Sequence, residues 1–366
     1  MNVKFLDLKR QNKSIKRDLM SKISGIIDTC AFVSGQEVLE FEEKFAKYCG
    51  VSYAVACSSG TSALHLALSC FPDRKGDALT TPNSFFATSE AISYNPNLKH
   101  KFIDVNSTCN MDYDKSLNSV GNKSRFLIPT SLYGNPCDLT EFRCLAKNKD
   151  LVLINDAAQA HGALYNNKKI SRFANLTCFS FYPGKNLGTC GEGGAVVTNN
   201  KRLYNTMKML VSHGQKEKYI HDQVGYNYRM SEIEAAALNL KLEHIDEWTC
   251  KRIKLAERYR ANLYDIKGLK MMKVKEGSKC VYHIFPIFVK NRNILKEDLQ
   301  KEGIQTGLHY PKPIHLQRAY SHLGLKRGCF PTAENQAYSQ LSLPMYPELT
   351  LKEVDYVSQK IKNYLS

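Results

Sequence analysis

The feature that most constrains the fold is an alternation of short apolar runs with helical patterns through the first two-thirds of the chain. The runs that we predict as buried strands are Phe102 to Val105, Phe126 to Pro129, Leu151 to Asn155, Thr177 to Phe181 and Ala195 to Thr198. Strands separated by helices indicate an α/β fold with a mostly parallel, doubly wound sheet. Ligands of such sheets bind at the carboxyl ends of the strands, so the residues directly after these runs are the first candidates for a site.

A second pattern begins near residue 231. Ser231 to Asp246 predicts a long amphipathic helix with Ser231 as its N-cap, and the chain beyond Trp248 is richer in Lys and Tyr. We therefore predict a large α/β domain over residues 13–245 and a smaller α+β domain over residues 246–366 together with 1–12. A length of 366 residues agrees with about two domains.

Composition excludes several classes of protein. The 12 cysteines include no Cys-x-x-Cys pair and no apolar leader precedes them, so we expect a reduced, cytoplasmic protein that needs neither disulfides nor a metal. No apolar run has the roughly 18 residues that a membrane span requires. Lys and Arg outnumber Asp and Glu by 51 to 35, a net charge of +16. The basic residues are scattered without the aromatic pattern of an RNA-binding module, so we expect an anionic small substrate and no nucleic acid.

Two segments contain residues that suit the binding of a charged ligand. One lies at the start of a predicted helix, and the other follows a predicted strand. Ser58 to Leu64 is a run of small residues at a helix start, where backbone N–H groups favour an anion; an ordinary Ser/Thr cap is the alternative. Asp156 ends a buried run, where a carboxylate is costly unless a cation or a protonated ring nitrogen pairs with it. The alternative is an Asp that caps the next helix.

Two further segments are rich in glycine, tyrosine or proline. In Ser180 to Gly188 a single amine, Lys185, lies among Phe, Tyr, Pro and Gly, an environment that lowers the pKa of a lysine and suits it to covalent catalysis. The segment matches neither a P-loop nor a dinucleotide fingerprint, and a surface lysine on a tight turn is the alternative. Gly225 to Met230 places polar and basic groups before the helix at 231, which again suits an anion.

Together with Phe32-Val33-Ser34-Gly35, Tyr133-Gly134-Asn135-Pro136, His309-Tyr310-Pro311 and Leu343-Pro344, these segments resemble one family nearly end to end. It is the family of sugar-nucleotide aminotransferases related to DegT, DnrJ, EryC1 and StrS. The resemblance implies the type I aminotransferase fold, pyridoxal 5'-phosphate as cofactor, L-glutamate as amino donor and a nucleotide-linked keto sugar as acceptor.

The resemblance also implies roles for individual residues. Lys185 would bind the cofactor covalently and serve as the catalytic acid and base, and Asp156 would pair with the protonated ring nitrogen. Gln159 would contact the ring hydroxyl, and Phe85 would stack on the ring. The phosphate would be held by Gly60, Thr61 and Ser180.

Other implied roles concern the partner copy and the substrate. Asn227 matches a residue that reaches the cofactor phosphate of the neighbouring subunit, which implies a homodimer with shared active sites. The substrate candidates are Tyr182, Lys218, Tyr219, Arg229, His309 and Lys312. The sequence departs from the family pattern at Asn155, where relatives often carry Glu, and at Thr189-Cys190, where they carry a small apolar pair.

Resemblance at finer grain concerns the carbon that receives the amine. Lys218-Tyr219 with His221, Asp246-Glu247-Trp248 and His309 to Gln317 resemble the 3-amino branch. This implies transfer to C3 of a dTDP-linked 3-keto-6-deoxyhexose in a polysaccharide, O-antigen or antibiotic sugar pathway. Transfer to C4 of a 4-keto-6-deoxyhexose, or to C3 of a UDP-linked 2-acetamido-3-keto sugar, stays open. A dehydratase relative would carry His instead of Lys185, and a regulator without activity would have lost Lys185, Asp156 or Gln159.

Overall fold

A computed structural model of the protein describes residues 1–365. The helices are α1 (Leu8–Thr29), α2 (Gln36–Cys49), α3 (Gly60–Ser69), α4 (Ala87–Ser93), α5 (Tyr113–Ser119), α6 (Leu139–Asn148), α7 (Lys201–Leu210), α8 (Glu232–Leu242), α9 (Ile245–Leu263), α10 (Arg292–Lys301), α11 (Pro331–Ser339) and α12 (Leu351–Leu365). The strands are β1 (Tyr53–Cys57), β2 (Gly76–Thr80), β3 (Leu98–Phe102), β4 (Ser124–Leu127), β5 (Val152–Asp156), β6 (Leu164–Tyr165), β7 (Lys168–Lys169), β8 (Leu176–Ser180), β9 (Gly194–Thr198), β10 (Gln215–Glu217), β11 (Ile220–His221), β12 (Leu269–Met271), β13 (Ser278–Lys279), β14 (Phe285–Val289) and β15 (Gln340–Leu343).

Within residues 1–365, the largest sheet has seven strands in the order β1-β9-β8-β5-β4-β2-β3. Only β9 runs against the others; its two neighbours pair with it antiparallel, and the remaining pairs are parallel. Alternate residues of a strand enter different cores: Leu153 packs in one, and Val152 and Ile154 pack in the other. This alternation covers both faces of the sheet with helices, and the predicted doubly wound, mostly parallel sheet is confirmed.

Several element boundaries differ from the predicted ones. The strand predicted at Phe102 to Val105 lies earlier, at Leu98–Phe102, and β1 and β2 were not predicted. The prediction of one long amphipathic helix from Ser231 to Asp246 is wrong, because α8 ends at Leu242 and a separate helix, α9, begins at Ile245. Most of α8 is buried, because α1 and α2 pack against it, so its polar positions are not on a solvated face.

A separate core, here called the C-terminal core, consists mostly of residues beyond 250 and also includes Cys109, Leu132 and Tyr133. The antiparallel sheet β12-β14-β15 carries it, and α9, α10 and α12 pack against it. The N-terminus joins this core, since the fully buried Val3 bridges to Ile304. The short β13 crosses back to pair with β6. The division into residues 13–245 and 246–366 with 1–12 stays a prediction. No helix within residues 1–365 is both long and apolar enough to cross a membrane.

Candidate active site

A cavity of about 740 Å³ opens at the carboxyl ends of β5 and β8, between the large sheet and the C-terminal core. This is the edge at which a doubly wound sheet is expected to bind its ligand. The predicted site residues that line it are Gly60, Thr61, Phe85, Asp156, Gln159, Ser180, Tyr182, Lys185 and His309. Residues as far apart in sequence as Gly60 and His309 therefore meet in one cavity.

Lys185 lies on a tight loop between β8 and β9. Its backbone N–H donates to the Tyr182 carbonyl at 2.8 Å, and the Thr189 N–H donates to the Phe181 carbonyl at the same distance. A Cβ at Gly188 would lie 2.4 Å from the Pro183 carbonyl oxygen, so only glycine fits this turn. Burial lowers the pKa of the Lys185 amine to about 8, against the opposing charge of Asp156. The unprotonated, nucleophilic form of this amine is therefore more populated near neutral pH than in an ordinary lysine.

Asp156 ends β5 and is almost fully buried. Its Oδ2 accepts a hydrogen bond from the Thr88 hydroxyl at 2.7 Å, and its Oδ1 accepts one from the Ala158 N–H at 3.1 Å. Burial raises the pKa of the Asp156 carboxyl, while these two donors and the charge of Lys185 act in the opposite direction. A cation in the cavity would favour the ionised form further.

Gln159 is fixed at both ends of its amide. Its Oε1 accepts from the Tyr133 N–H at 2.7 Å, and its Nε2 donates to the Tyr310 hydroxyl at 3.1 Å. Tyr133 has a positive φ of 60°, a conformation that turns its N–H toward Gln159. The Tyr133 hydroxyl in turn donates to the His309 carbonyl. Gln159 thus links the end of β5 to the segment around residue 310.

The start of α3 forms a polar cradle. Ser59 and Ser62 cap the helix reciprocally: the Ser62 N–H donates to Ser59 Oγ at 3.0 Å, and the Ser59 N–H donates to Ser62 Oγ at 2.8 Å. A Cβ at Gly60 would lie 2.6 Å from the Cβ of Ser180, so the absent side chain keeps the helix start close to β8. Ser59, Gly60 and Thr61 at this helix start line the cavity, and the dipole and backbone N–H groups of a helix N-terminus suit a phosphate.

The remaining wall contains aromatic and imidazole side chains. The centroid of the Phe85 ring lies 5.5 Å from that of the Tyr310 ring, and Phe85 lines the cavity and is 55% exposed. Burial lowers the pKa of His309 to about 4, and it lowers the pKa of His283 well below the usual range. Both imidazoles are therefore neutral near pH 7 and add no positive charge beside Lys185.

Five predicted site residues do not line the cavity of this chain. Asn227 is exposed and bridges to Ser212, whose hydroxyl also accepts from Arg229 at 3.1 Å. Tyr219 is 80% exposed, and Lys218 lies against its ring. Lys312 is exposed on the loop after Pro311. Contacts between these five residues and a substrate or a neighbouring subunit's cofactor stay predictions.

The departures from the family pattern lie outside the cavity. Asn155 is fully buried and its Oδ1 accepts from the Ser131 hydroxyl at 3.1 Å. Thr189 is buried, and its hydroxyl donates a hydrogen bond to the Glu234 carbonyl at 2.9 Å, whereas Cys190 is exposed.

Sequence reasoning missed several residues that line the cavity: Phe5, Leu6, Thr88, Glu90, His283, Ile284, Tyr310 and Met345. Tyr310 lies in a segment that the resemblance had already singled out. Thr88 lies three residues after Phe85, in the first turn of α4, close to a residue that the resemblance had already assigned to the site. The other residues have no local signal in the sequence, because their place in the cavity depends on how the C-terminal core packs against the large sheet.

Comparisons with known proteins decide the family. The model of the DegT/DnrJ/EryC1/StrS aminotransferase family matches residues 13–362. The chain belongs to the DegT/DnrJ/EryC1/StrS aminotransferase family. It is 37% identical to a pleiotropic regulatory protein of Geobacillus stearothermophilus, over 100% of this chain and 99% of that protein. It is 35% identical to the dTDP-3-amino-3,4,6-trideoxy-alpha-D-glucose transaminase of Streptomyces venezuelae, over 98% and 96% of the two chains.

Two further comparisons agree. The chain is 34% identical to the dTDP-3-amino-3,6-dideoxy-alpha-D-galactopyranose transaminase of Aneurinibacillus thermoaerophilus, over 99% of both proteins. The crystal structure of DesV from S. venezuelae superposes with a TM-score of 0.97 at 33% identity, covering 100% of this chain and 99% of that one. The type I aminotransferase fold is thereby confirmed, and this family member is a pyridoxal phosphate-dependent sugar-nucleotide aminotransferase.

The residues of the cavity fit pyridoxal phosphate. The close approach of Gly60 to Ser180 leaves a cradle at a helix N-terminus for a phosphate, and the buried Asp156 lies ready to accept a charged donor. In this arrangement Lys185 would bind the cofactor, and Asp156 and Gln159 would orient it. When bound, the cofactor supplies an electron sink for a carbanion. The chain itself supplies an amine that is free to accept and return a proton at Lys185 Nζ.

Proposed function

We propose that this enzyme transfers the amino group of L-glutamate to C3 of a nucleotide-linked 3-keto-6-deoxyhexose, most simply a dTDP sugar. The product is a 3-amino-3,6-dideoxy sugar nucleotide. The observation that carries the proposal is the meeting of Lys185, Asp156 and Gln159 in one cavity that Tyr182 and His309 also line. The first three residues suit the cofactor, and the last two offer polar groups to a substrate that enters beside it.

The choice of C3 rests on the names of relatives and on the finer sequence resemblance. The two transaminases described above are named for 3-amino products linked to dTDP. C3 and C4 of a hexose are adjacent, so a small rotation of the sugar presents either carbonyl, and modest changes in a pocket shift selectivity by only a few kcal/mol. The alternatives are a C4 transfer to a dTDP-, UDP- or GDP-linked 4-keto-6-deoxyhexose and a C3 transfer to a UDP-linked 2-acetamido-3-keto sugar.

We infer the following roles for the residues. Lys185 binds the cofactor and moves the proton between the donor carbon and the cofactor, Asp156 keeps the ring nitrogen protonated, and Gln159 contacts the ring hydroxyl. Phe85 stacks on the ring, and Gly60, Thr61 and Ser180 hold the phosphate. Tyr182, Lys218, Tyr219, Arg229, His309 and Lys312 contact the sugar nucleotide.

We also infer a homodimer with shared active sites. Asn227 lies outside the cavity of its own chain and is exposed, as expected of a residue that serves a neighbouring copy. Several large apolar side chains on one stretch of the chain are half exposed, namely Met20, Ile27, Phe32, Val33 and Leu39. Such side chains favour burial against a second copy. The cytoplasm as compartment and a polysaccharide, O-antigen or antibiotic sugar pathway as context stay predictions.

The substrate proposal is tested by turnover. Purified enzyme with L-glutamate is offered the 3-keto-6-deoxy and 4-keto-6-deoxy dTDP sugars and the UDP-linked 2-acetamido-3-keto sugar at matched concentration, and products are identified by mass and proton NMR. We expect the dTDP 3-keto sugar to be converted fastest. A tenfold or greater preference for the 4-keto compound, about 1.4 kcal/mol, would overturn the C3 assignment and leave the aminotransferase activity intact.

The shared site is tested by mixing two inactive variants. Lys185→Ala and Asn227→Ala chains are unfolded, mixed in equal amounts and refolded with cofactor. We expect about a quarter of wild-type activity, because half of randomly assembled dimers are heterodimers and each carries one intact site. Each variant refolded alone is the control. A mixture no more active than its components, or a fully active monomer in sedimentation, would contradict the shared site.

A further inference from the structure

The first seven residues form a strap that leaves the C-terminal core and passes into the cavity. Val3 is fully buried, its N–H donates to the Gly303 carbonyl at 2.8 Å, and its carbonyl accepts from the Gln305 N–H at 2.9 Å. After the strap, Asp7 caps α1 by accepting from the Arg10 N–H at 3.4 Å. The strap is therefore fixed at both ends, which defines the course of Phe5 and Leu6 between them.

Phe5 and Leu6 both line the cavity. The Phe5 ring stacks on the imidazole of His309, with centroids 5.5 Å apart and planes inclined by 17°. Leu6 lies beside Gly184, next to the cofactor lysine, where an added Cβ would be 3.4 Å from Leu6 Cδ2. Phe5 thus contacts His309, a residue that we propose to meet the substrate, and Leu6 contacts the loop that carries Lys185.

His309 is also held by two hydrogen bonds. Its backbone N–H donates to Gln340 Oε1 at 2.9 Å, and its Nδ1 lies 2.9 Å from the Ser342 hydroxyl. These contacts occupy Nδ1 and leave Nε2 for a molecule in the cavity. The imidazole can still tilt about these contacts, and the Phe5 ring closes the face on which it would tilt.

Gly307 shows how tightly this ring pair is packed. A Cβ at Gly307 would lie 2.7 Å from His309 Cε1 and 3.1 Å from Phe5 Cζ. The backbone at this position is itself held, since Gly307 and Ser342 exchange two hydrogen bonds at 3.0 and 2.8 Å. Any side chain at residue 307 must therefore displace the rings and not the strand.

We propose that Phe5 is a positioning residue for the keto sugar, acting by holding His309 at the angle at which Nε2 meets the substrate, and that Leu6 completes this wall of the cavity. The inference rests on the proposed function in taking the keto sugar as the molecule on the His309 side. It predicts that the strap matters to the half-reaction with the sugar and not to the half-reaction with glutamate.

The test measures the two half-reactions separately with the dTDP 3-keto sugar and with L-glutamate, by single-turnover absorbance of the bound cofactor. For Phe5→Ala we expect kcat/KM for the sugar to fall by about tenfold, mainly through KM, the loss that one well-packed aromatic pair is worth. The glutamate half-reaction should stay within about twofold of wild type. Asn2→Ala, on the same strap but with an exposed side chain, is the matched control and should change neither.

Gly307→Ala gives an independent reading if Phe5→Ala folds poorly, since it displaces the same rings while leaving both in place. It should produce the same selective loss in the sugar half-reaction. An equal loss in both half-reactions, or no change in the sugar half-reaction for either variant, would overturn the inference while the wild-type activity upholds the proposed function. A wild-type enzyme that accepts the amino group of glutamate but converts no keto sugar would overturn the proposed function, and this inference with it.

Discussion

The two halves of the cavity are built in different ways. The cofactor half, as we propose it, comes from residues at or just after strand ends of one sheet, such as Asp156 and Ser180, and from the tight loop that holds Lys185. The proposed substrate half comes from the N-terminal strap and from segments of the C-terminal core, including His309 and Met345. A parallel sheet brings the carboxyl ends of its strands to one edge by its own topology. The substrate half, in contrast, forms only where the C-terminal core packs against the large sheet.

The difference appears in the contacts. Asp156 and Gln159 each have two polar partners at 3.1 Å or less, so the cofactor half is organised before any ligand arrives. The substrate half relies on packed rings, as in the stack of Phe5 on His309. Preorganised charges and hydrogen bonds stabilise one particular reaction. Packed apolar side chains, in contrast, can be exchanged at a cost of a few kcal/mol, which lets the cavity accept another sugar. The following predictions test the cofactor half from the largest expected effect to the smallest.

Asp156→Asn should reduce turnover about a hundred- to a thousand-fold, the range that loss of one preorganised electrostatic contact costs. The neutral amide cannot hold a proton on the ring nitrogen of the cofactor. Steady-state kinetics with glutamate and the sugar measures the loss, and thermal unfolding checks that the fold is kept. Asp150→Asn is the matched control, because that carboxylate pairs only with Arg74 on the surface. Near-normal turnover of Asp156→Asn would show that the assigned role is wrong.

Gly60→Ala should weaken cofactor binding by about tenfold or more. The new Cβ would lie 2.6 Å from the Cβ of Ser180 and 3.2 Å from its Cα, so the phosphate cradle must open. Titration of apoenzyme with pyridoxal phosphate, followed by absorbance, gives the dissociation constant. Gly25→Ala is the matched control, since no atom lies within 4 Å of its added Cβ. Equal affinities of the two variants would argue against a phosphate at the start of α3.

Thr88→Val should lower kcat by about tenfold, since a hydrogen bond to a charged group contributes about 1.5 kcal/mol or more. The lost hydroxyl donates to Asp156 Oδ2 at 2.7 Å and helps to lower the pKa of that carboxyl. The acid limb of the pH–rate profile should therefore move to higher pH in the variant. Thr88→Ser, which keeps the hydroxyl, should restore both kcat and the profile; a Ser variant as slow as the Val variant would point to packing instead.

The smallest effect is on the stability of the apoenzyme. Burial lowers the pKa of Lys185 from 10.5 to about 8, so between these values the unfolded chain holds a proton that the folded chain does not. Raising the pH through this window therefore stabilises the fold, and below about pH 8 the full cost of the buried charge applies. Urea unfolding should show Lys185→Met more stable than wild type at pH 7, with the difference shrinking toward pH 10.5. A difference independent of pH would contradict the lowered pKa.

The fold was predictable where one local signal decided it. Five strands of the large sheet were recognised from apolar runs, although Phe102 to Val105 was placed four residues late. β1 and β2 were missed because short runs with small or polar residues do not stand out from their surroundings. The break between α8 and α9 was missed because α1 and α2 cover faces of α8 that an isolated helix would expose to water. In this last case tertiary burial overrode the local pattern.

The sequence by itself determined the chemistry of this protein. An aspartate after a buried run, a lysine in a glycine-rich turn and a serine-capped helix start each express a local rule, and such rules hold wherever the segment lies. Only the tertiary structure decided which residues share the cavity: it brought Phe5, Thr88 and Tyr310 in and left Lys312 and Asn227 on the surface. The physical reason is that contacts between distant segments depend on how the C-terminal core packs against the large sheet, and no local sequence pattern encodes that packing.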